Sequence, residues 1–395
     1  MSESISMGAT LCDIRKRRGL SRKGLSEASG VSISLIRKLE QGQVDHTRLE
    51  TAHKLATALR VPTTYLLDRR DSPEDADLNS SPDAEAWAPV RHAVERPPTD
   101  ITTEAPTLEG VQAAADAVGR AWATNQLATA TILLPPALRD AEALGDEGRE
   151  AHAYVLHLAG SLLTQTRQYD AAETALRRAL DAAQGRHRSA SVAGTMCWLA
   201  IRQGKLTQAR TLATRWADDV EPRVSRATAG DLAAWGGLLL HLASACARDN
   251  RPGEAADALR FAQAAAVMTG HELPVRRRMG AWGPLTVAYK RAEQHMIVDR
   301  PDKVLEIAEG TEVHTTDEGR VQNGFNRHQL DVAAAHVRMR HHAQAVKVLS
   351  EVHARVPEWL AQQRYAQDIL GDVVKRRRTL TPEMRRLADA VGLPL

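Results

Sequence analysis

The sequence predicts an all-α protein in two unequal parts. A small basic domain of five helices spans residues 7–70, a stacked helical array spans 109–395, and an acidic, proline-rich linker over 71–108 joins them. Three observations carry this reading. Aromatic residues are only 4% of a 395-residue chain that is 43% hydrophobic, so its core must be built from Ala, Leu and Val, which favours closely packed helices over sheets. From about residue 110 the pattern has a helical period and falls into similar turn-plus-helix units. Charge is also segregated: residues 1–70 carry 13 Lys+Arg against 7 Asp+Glu, and residues 71–110 carry 2 against 10, in a chain of net charge +3. That profile suits a small nucleic-acid module on a tether.

In the first part, a helix is expected from Met7 to Arg18 with Leu11 and Ile14 inward. Ser21 caps a second helix through Ser29, and Gly30 supplies the positive φ of a tight helix–helix turn. Ser32 caps a third through Gln41, and Gly42 stops it. Leu25, Ala28, Val31, Ile36 and Leu39 form the expected core. A fourth helix is expected over Asp45–Arg60, with Leu49, Ala52, Leu55 and Leu59 inward, and a short fifth over Pro62–Leu67.

The stretch Arg22-x-x-Leu25-Ser26-x-x-Ser29-Gly30-Val31-Ser32-x-x-x-Ile36-Arg37-x-x-Glu40-x-Gly42 resembles the lambda-repressor-like (Cro/repressor, Xre) helix-turn-helix domain. The resemblance covers about 64 residues. It implies that the third helix enters the roughly 12 Å major groove while the second braces it across the backbone. The positions it assigns to base edges are Ile33, Ser34, Arg37 and Lys38. Ile33 could touch only a thymine methyl, whereas Arg37 or Lys38 could take a guanine edge. Ser21, Arg22, Lys23, Gln41 and Arg48 would hold phosphates and set register. Arg22 and Arg37 depart from the family's usual Gln and Ser. Arg15 and Glu40 match a family pair that links the first helix to the third, and a structural salt bridge is expected there.

Six of the chain's 17 prolines fall in residues 71–108, with an excess of acid, which predicts an extended or disordered linker; the alternative is a loop packed on the second domain, part of which Trp87 would anchor. Beyond it, QYDAAETALRRAL, KLTQARTLATRWA, RPGEAADALRFAQ, RPDKVLEIAEG and HHAQAVKVLSEVH each read as a turn followed by a helix with a small or β-branched anchor: Ala172, Ala209, Ala255, Val304 and Ala345. A weaker sixth copy holds Ala130. Twelve residues before the five stronger anchors stand Gly160, Cys197, Ala243, Ala292 and Ala333. Paired small residues let two helix axes approach closely, and the units resemble tetratricopeptide hairpins, though their spacing exceeds that family's 34-residue period. In KRRRTLTPEMRRLADAVGLPL, Thr381, Pro382 and Gly392 predict a terminal capping helix.

By the tetratricopeptide resemblance, the first helix of each pair lines a groove, which nominates Tyr154, His157, Ser161, Trp198, His241, Tyr289 and Arg327 as ligand-facing. The irregular HELPVRRRMGAWGPLTVAY, with Pro274, Gly280, Gly283 and Pro284, is expected to shape a pocket wall.

The sequence holds no Walker-type phosphate loop, Rossmann fingerprint, HExxH or GxSxG, and its His pairs lack metal-ligand spacing, so neither enzyme, metal nor cofactor is expected. Its N-terminus lacks a signal-peptide pattern, no apolar run reaches membrane-span length, and Cys12, Cys197 and Cys246 lie far apart, which fits a reducing cytoplasm. The whole arrangement resembles the RRNPP class of peptide-responsive regulators. That resemblance implies a bacterial transcription regulator, a homodimer on a pseudo-palindromic duplex operator, whose repeat domain senses a peptide or small signalling ligand. Two alternatives remain: repeats that bind only a protein partner, and a scaffold that no longer binds DNA.

Overall fold

The computed structural model describes residues 6–44, 47–67, 85–95, 105–273, 280–311, 323–377 and 379–395. Among these the chain is all-α, with one isolated antiparallel bridge, Leu273–Trp282. The helix-turn-helix part comprises α1 (Met7–Arg17), α2 (Arg22–Ser29), α3 (Ile33–Glu40), α4 (Leu49–Leu59) and α5 (Thr64–Leu67). Its first three helices start where serine hydroxyls accept backbone N–H groups: Ser6 from Ala9 at 3.2 Å, Ser21 from Gly24 at 3.0 Å and Ser32 from Leu35 at 3.3 Å. Gly30 sits at φ 69°, a left-handed conformation that lets α2 turn sharply into α3. Leu11, Leu25, Ile36, Leu39, Leu55 and Leu59 are fully buried and form one core.

Two expectations here need correction. Ala28 is exposed rather than in the core: Leu25 is the buried residue of α2, and Val31 plugs the corner beyond it. The fourth helix begins at Leu49, with Arg48 as N-cap, not at Asp45; Asp45 itself lies outside the described residues.

The remaining helices are α6 (Ala88–Glu95), α7 (Leu108–Ala123), α8 (Leu127–Ala143), α9 (Arg149–Gln165), α10 (Tyr169–Ala182), α11 (Arg186–Arg202), α12 (Leu206–Val220), α13 (Ala229–Arg248), α14 (Pro252–Thr269), α15 (Pro284–Ile297), α16 (Pro301–Glu309), α17 (Asn323–Arg338), α18 (His342–Arg355), α19 (Pro357–Ala361), α20 (Arg364–Val374) and α21 (Pro382–Val391). From α7 to α18 they form six hairpins. Each hairpin turn contains one left-handed residue: Asn125, Arg167, Gly204, Asn250, Asp299 or Arg340. Each anchor residue, from Ala130 to Ala345, follows its left-handed residue by five positions and is buried. The turn thus fixes the register at which the second helix meets the first. The paired small residues Gly160, Cys197, Ala243, Ala292 and Ala333 are buried as well.

Residues 88–95, expected within an extended linker, form α6. Trp87, Val90 and Val94 of this segment are buried against the first hairpins, and Arg178 donates to the Val94 carbonyl at 2.7 Å. An acidic composition thus concealed a short amphipathic helix; residues 71–84 and 96–104 lie outside the described residues. After the sixth hairpin come α19 and α20, and α21 covers the end with Met384, Leu387 and Val391 buried. Thr381 caps α21 and Gly392 ends it at φ 66°, as the sequence predicts. Before α15, Trp282 lies over Gly236 of α13 and its indole donates to Thr269 at the end of α14 at 3.1 Å; Pro274 lies outside the described residues.

The array curls on itself. Glu358 of α19 accepts the Ala128 N–H of the first hairpin at 2.9 Å. The helix-turn-helix part rests on the turn between α13 and α14: Thr63 donates its hydroxyl to the Arg248 carbonyl at 2.7 Å, and Asn250 donates to the Val61 carbonyl at 2.9 Å.

Candidate nucleic-acid interface

The second and third helices of the small domain are held by one buried carboxylate. Glu40, at the end of α3, has a side chain of 0% exposure. Arg15 of α1 grips it with two donors, at 2.5 Å and 3.0 Å, and gives a third hydrogen to the Leu20 carbonyl at 2.8 Å. The expected Arg15–Glu40 bridge therefore forms, in the two-pronged geometry that guanidinium and carboxylate favour. Arg22, at the start of α2, donates its Nε at 2.6 Å to Glu40 Oε2, the oxygen that Arg15 Nη2 also reaches. Burial alone would push the Glu40 carboxyl up, but the hydrogen bonds from Arg15 and then Arg22 hold it below its ordinary value. One side chain thus joins α1, α2 and α3.

This triangle fixes α3 while leaving its outer face open. Ile33, Ser34, Arg37 and Lys38 are all exposed. Among the described residues no carboxylate pairs with Arg37 or Lys38, so two cations stand beside a hydroxyl and an apolar side chain on one helical face. Such a face can offer hydrogen bonds to guanine and contact to a thymine methyl. The fourth helix, α4, packs on α2.

The residues expected at phosphates are placed less uniformly. Ser21, Lys23, Gln41 and Arg48 are exposed, and Arg22 is half-buried with its Nε committed to Glu40. Ser21 accepts the Gly24 N–H and retains its own hydroxyl proton for donation. Lys23 lies 3.9 Å from Glu27, an exposed pair of little energetic weight. Arg48 reaches across to Asp368 of α20 at 3.1 Å.

The repeat residues nominated by the sequence fall on α9, α11, α13, α15 and α17, the first helices of successive hairpins. Tyr154, His157, Ser161 and Tyr289 are buried between neighbouring helices. His157 shares a hydrogen with Thr195 at 2.7 Å, Ser161 accepts the Trp122 indole at 3.1 Å, the Arg188 guanidinium covers the Tyr154 ring at 5.2 Å, and Tyr289 stacks on His328 at 4.8 Å. Burial pushes His157 down to about 3, so it is a neutral packing group at physiological pH. Trp198, His241 and Arg327 are half-buried, and Arg327 lies over the Tyr365 ring at 4.7 Å.

Several residues that position the interface have no local sequence signal. Asp249 is fully buried beneath the small domain; it accepts the Thr64 N–H at 2.8 Å, Arg210 at 2.5 Å and Arg251 at 2.8 Å. His53 donates its Nδ1 hydrogen to the Arg248 carbonyl at 2.9 Å. Burial, chiefly, holds this imidazole below its ordinary value. Among the described residues, no cluster of His, Cys, Asp or Glu is placed to hold a metal ion, and no helix is long and apolar enough to cross a membrane.

Comparison with known proteins gives three findings. Residues 13–66 match the helix-turn-helix family. No curated protein matches the chain. Among solved structures, the chain is similar to Bacillus thuringiensis PlcR, determined in complex with the peptide PapR7 and DNA, at 12% identity, 87% coverage of this chain, 99% of that one and a TM-score of 0.37. It is also similar to the P58(IPK) TPR domain, at 13% identity, 72% and 98% coverage and a TM-score of 0.16.

Proposed function

We propose, from the Xre-like helix-turn-helix domain that residues 13–66 form, that the protein is a sequence-specific DNA-binding transcriptional regulator. It binds a pseudo-palindromic duplex as a homodimer, and its helical repeats sense a peptide or small signalling ligand. The observation that carries this reading is the exposed α3 face, with Arg37 and Lys38 paired to no carboxylate among the described residues and the helix itself held by the Arg15–Glu40–Arg22 triangle. Ile33, Ser34, Arg37 and Lys38 read bases. Ser21, Arg22, Lys23, Gln41 and Arg48 set register on the backbone.

Two copies are part of the proposal because one module of eight-residue α3 offers few base contacts, and two-fold symmetry doubles them. The half-site centres then lie about one helical turn, ~10 base pairs, apart or a multiple of it. Of the residues nominated for the ligand, Trp198, His241 and Arg327 retain surface and remain the contacts proposed. The burial of Tyr154, His157, Ser161 and Tyr289 favours, as the second reading, repeats whose partner is another protein.

The test is selection of bound duplexes from a random library, followed by footprinting. Enrichment of one palindromic motif, lost when Arg37 and Lys38 are replaced by Ala, is the expected result. Enrichment of no motif at all would sink the regulator reading in favour of a scaffold.

A further inference from the structure

Four arginines gather where the array curls on itself. Arg167, in the turn between α9 and α10, donates at 3.4 Å to the carbonyl of Gln362, in the turn between α19 and α20. Arg364 begins α20, two residues further on. Arg327 of α17 lies over the ring of the next residue, Tyr365, 4.7 Å from its centroid. Arg202, the last residue of α11, faces the hydroxyl of Tyr169, which stands two residues after Arg167. All four arginines are half-buried.

Guanidinium groups removed from water are ordinarily matched by carboxylates. Comparable ones elsewhere in the array are: Arg178 pairs with Glu142, Arg210 with Asp249 and Arg248 with Glu293. Among the described residues these four pair with no carboxylate, and the nearby acids are committed elsewhere or out of contact. Glu293 is held by Arg248 and Lys290, and Asp368 by Arg48 at 3.1 Å. Asp331, 2% exposed, attracts Arg327 from beyond ion-pair contact. The imbalance registers in the groups themselves. Burial first, then neighbouring cations, hold Arg202 and Arg167 below the ordinary guanidinium value: Arg327 and Arg248 act on Arg202, and Arg202 and Arg364 on Arg167. The Tyr169 hydroxyl opposes this at both, and Asp368 at Arg167. Like charges brought together out of water cost stability unless an anion completes them.

We infer that these four arginines form a site for the phosphoryl group of a small ligand. The inference rests on the sensing reading proposed above and names the chemistry of what is sensed. A guanidinium fork takes phosphate oxygens two at a time, and several forks around one point suit a group whose charge is spread over several oxygens. The Tyr169 hydroxyl adds a donor, and Trp198, one turn before Arg202 on α11, offers a half-buried indole to the organic part of the ligand. The site joins the α9–α11 region to α17 and α20, so a bound anion clamps the curl. Helix α20 also carries Asp368, whose partner Arg48 is assigned to the DNA backbone.

The probe is pyrophosphate, titrated calorimetrically into the full chain at constant ionic strength with chloride as the balance. The native chain should bind it, and Arg202→Gln and Arg327→Gln should each weaken binding at least about 10-fold. Lys347→Gln, which removes one charge from the exposed face of α18, should bind as the native chain does. Without pyrophosphate, Arg202→Leu should melt no lower than the native chain, because it removes a charge that lacks its counter-ion; with pyrophosphate, only the native melting temperature should rise. A native chain that does not bind pyrophosphate removes the site and leaves the sensing of a peptide standing. Arginine variants that bind it as the native chain does also overturn the site. Citrate bound more tightly than pyrophosphate overturns the phosphoryl assignment in favour of carboxylates. Pyrophosphate that binds through these arginines yet leaves palindrome affinity unchanged upholds the site and ends the sensing reading instead. Should the variants misfold, hydrogen exchange of the native chain decides. Slowing by pyrophosphate at residues 165–169, 198–202, 325–331 and 362–366 supports the site, and no slowing there removes it.

Discussion

Asp249, in the turn between α13 and α14, accepts the backbone N–H of Thr64 at 2.8 Å and so ties the DNA-reading domain to the repeat array. Its second oxygen holds Arg210 and Arg251 at 2.5 Å and 2.8 Å. Three donors thus converge on one fully buried carboxylate, which compensates the cost of burying it. Around it, Thr63, Asn250 and His53 add hydrogen bonds between the two parts. The coupling is a hydrogen-bonded clasp centred on one hairpin turn, with exposed ion pairs from Arg48 to Asp368 and from Glu50 to Arg338 beside it. A change in the shape of the fourth hairpin would therefore be transmitted to the angle of α3.

Replacing Asp249 with Ala should release this clasp. It strands the Thr64 N–H and leaves the Arg210 and Arg251 guanidinium groups with Glu254 alone, a loss of about 3 kcal/mol by analogy with broken buried ion pairs. The helix-turn-helix part keeps its own core, so it should remain folded but tumble independently. Nuclear relaxation of its amides checks this: shorter correlation times for residues 7–67 are expected, and unchanged ones would mean that the clasp is dispensable.

The same contact should depend on pH through His53. Its neutral ring donates from Nδ1 to the Arg248 carbonyl, and burial keeps it from protonating at the ordinary imidazole value. The neighbouring Arg248 charge acts in the same direction, while Glu50 opposes it. With the docked pKa lowered, the released state binds more protons as pH falls. Docking is therefore at full strength above the released value, ~6.5, and weakens as pH drops below it. Energy transfer between fluorophores on the two domains should fall below that pH and recover on return. His53→Gln should flatten the profile.

Two adjacent glycines of α13 should respond to the same substitution with opposite sign. A Cβ on Gly236 would lie 1.8 Å from the Trp282 ring, so Gly236→Ala displaces a buried indole and should cost about 1–3 kcal/mol. A Cβ on Gly237 meets nothing within 4 Å. Gly237→Ala should instead stabilise, by about 0.5–1 kcal/mol, because alanine restricts the unfolded chain and suits a helix interior. Thermal denaturation of the two variants, each compared with the native chain, tests the pair directly.

What could be read from the sequence follows the range over which each contact acts. Serine caps, Gly30 and the Arg15–Glu40 pair lie within one small motif, and the structure has them as expected. The anchors were legible because each is a small or β-branched residue opening a helix after a turn, with another small residue twelve positions before each of the five stronger ones; the left-handed residue five positions before each anchor, a glycine only at Gly204, shows in the structure. Helix α6 was hidden because eight residues of amphipathic helix do not alter the composition of an acidic stretch. The groove register is harder to read for another reason. Each first helix packs against its own partner and against the next hairpin, so on α9 every residue from Ala153 to Thr164 is buried and periodicity no longer marks a face. The clasp at Asp249 joins residues 185 positions apart, and no local pattern announces it.

The final prediction separates structural from reading roles within the small domain. Arg22 was assigned to the phosphate backbone, and its Nε also neutralises Glu40. Removing it as Arg22→Ala leaves Arg15 as the remaining cation on a buried carboxylate, so a stability loss of about 1–2 kcal/mol should accompany weaker binding. Because the Arg22 hydrogen bond helps hold the Glu40 carboxyl below its ordinary value, the deficit should be full above the carboxylate range and shrink as pH falls through it, where Glu40 becomes protonated and the ion pair is lost in both proteins. Binding should fall similarly for all sequences, with a shallower salt dependence. Arg37→Ala and Lys38→Ala remove exposed side chains that pair with no carboxylate among the described residues and should leave stability unchanged, yet each should relax sequence preference, by ~1–3 kcal/mol where it makes a two-pronged base contact. Denaturation curves and salt-titrated affinities for matched and mismatched duplexes distinguish the two classes. If Arg22→Ala altered sequence choice while Arg37→Ala and Lys38→Ala did not, the roles assigned to α2 and α3 would be reversed.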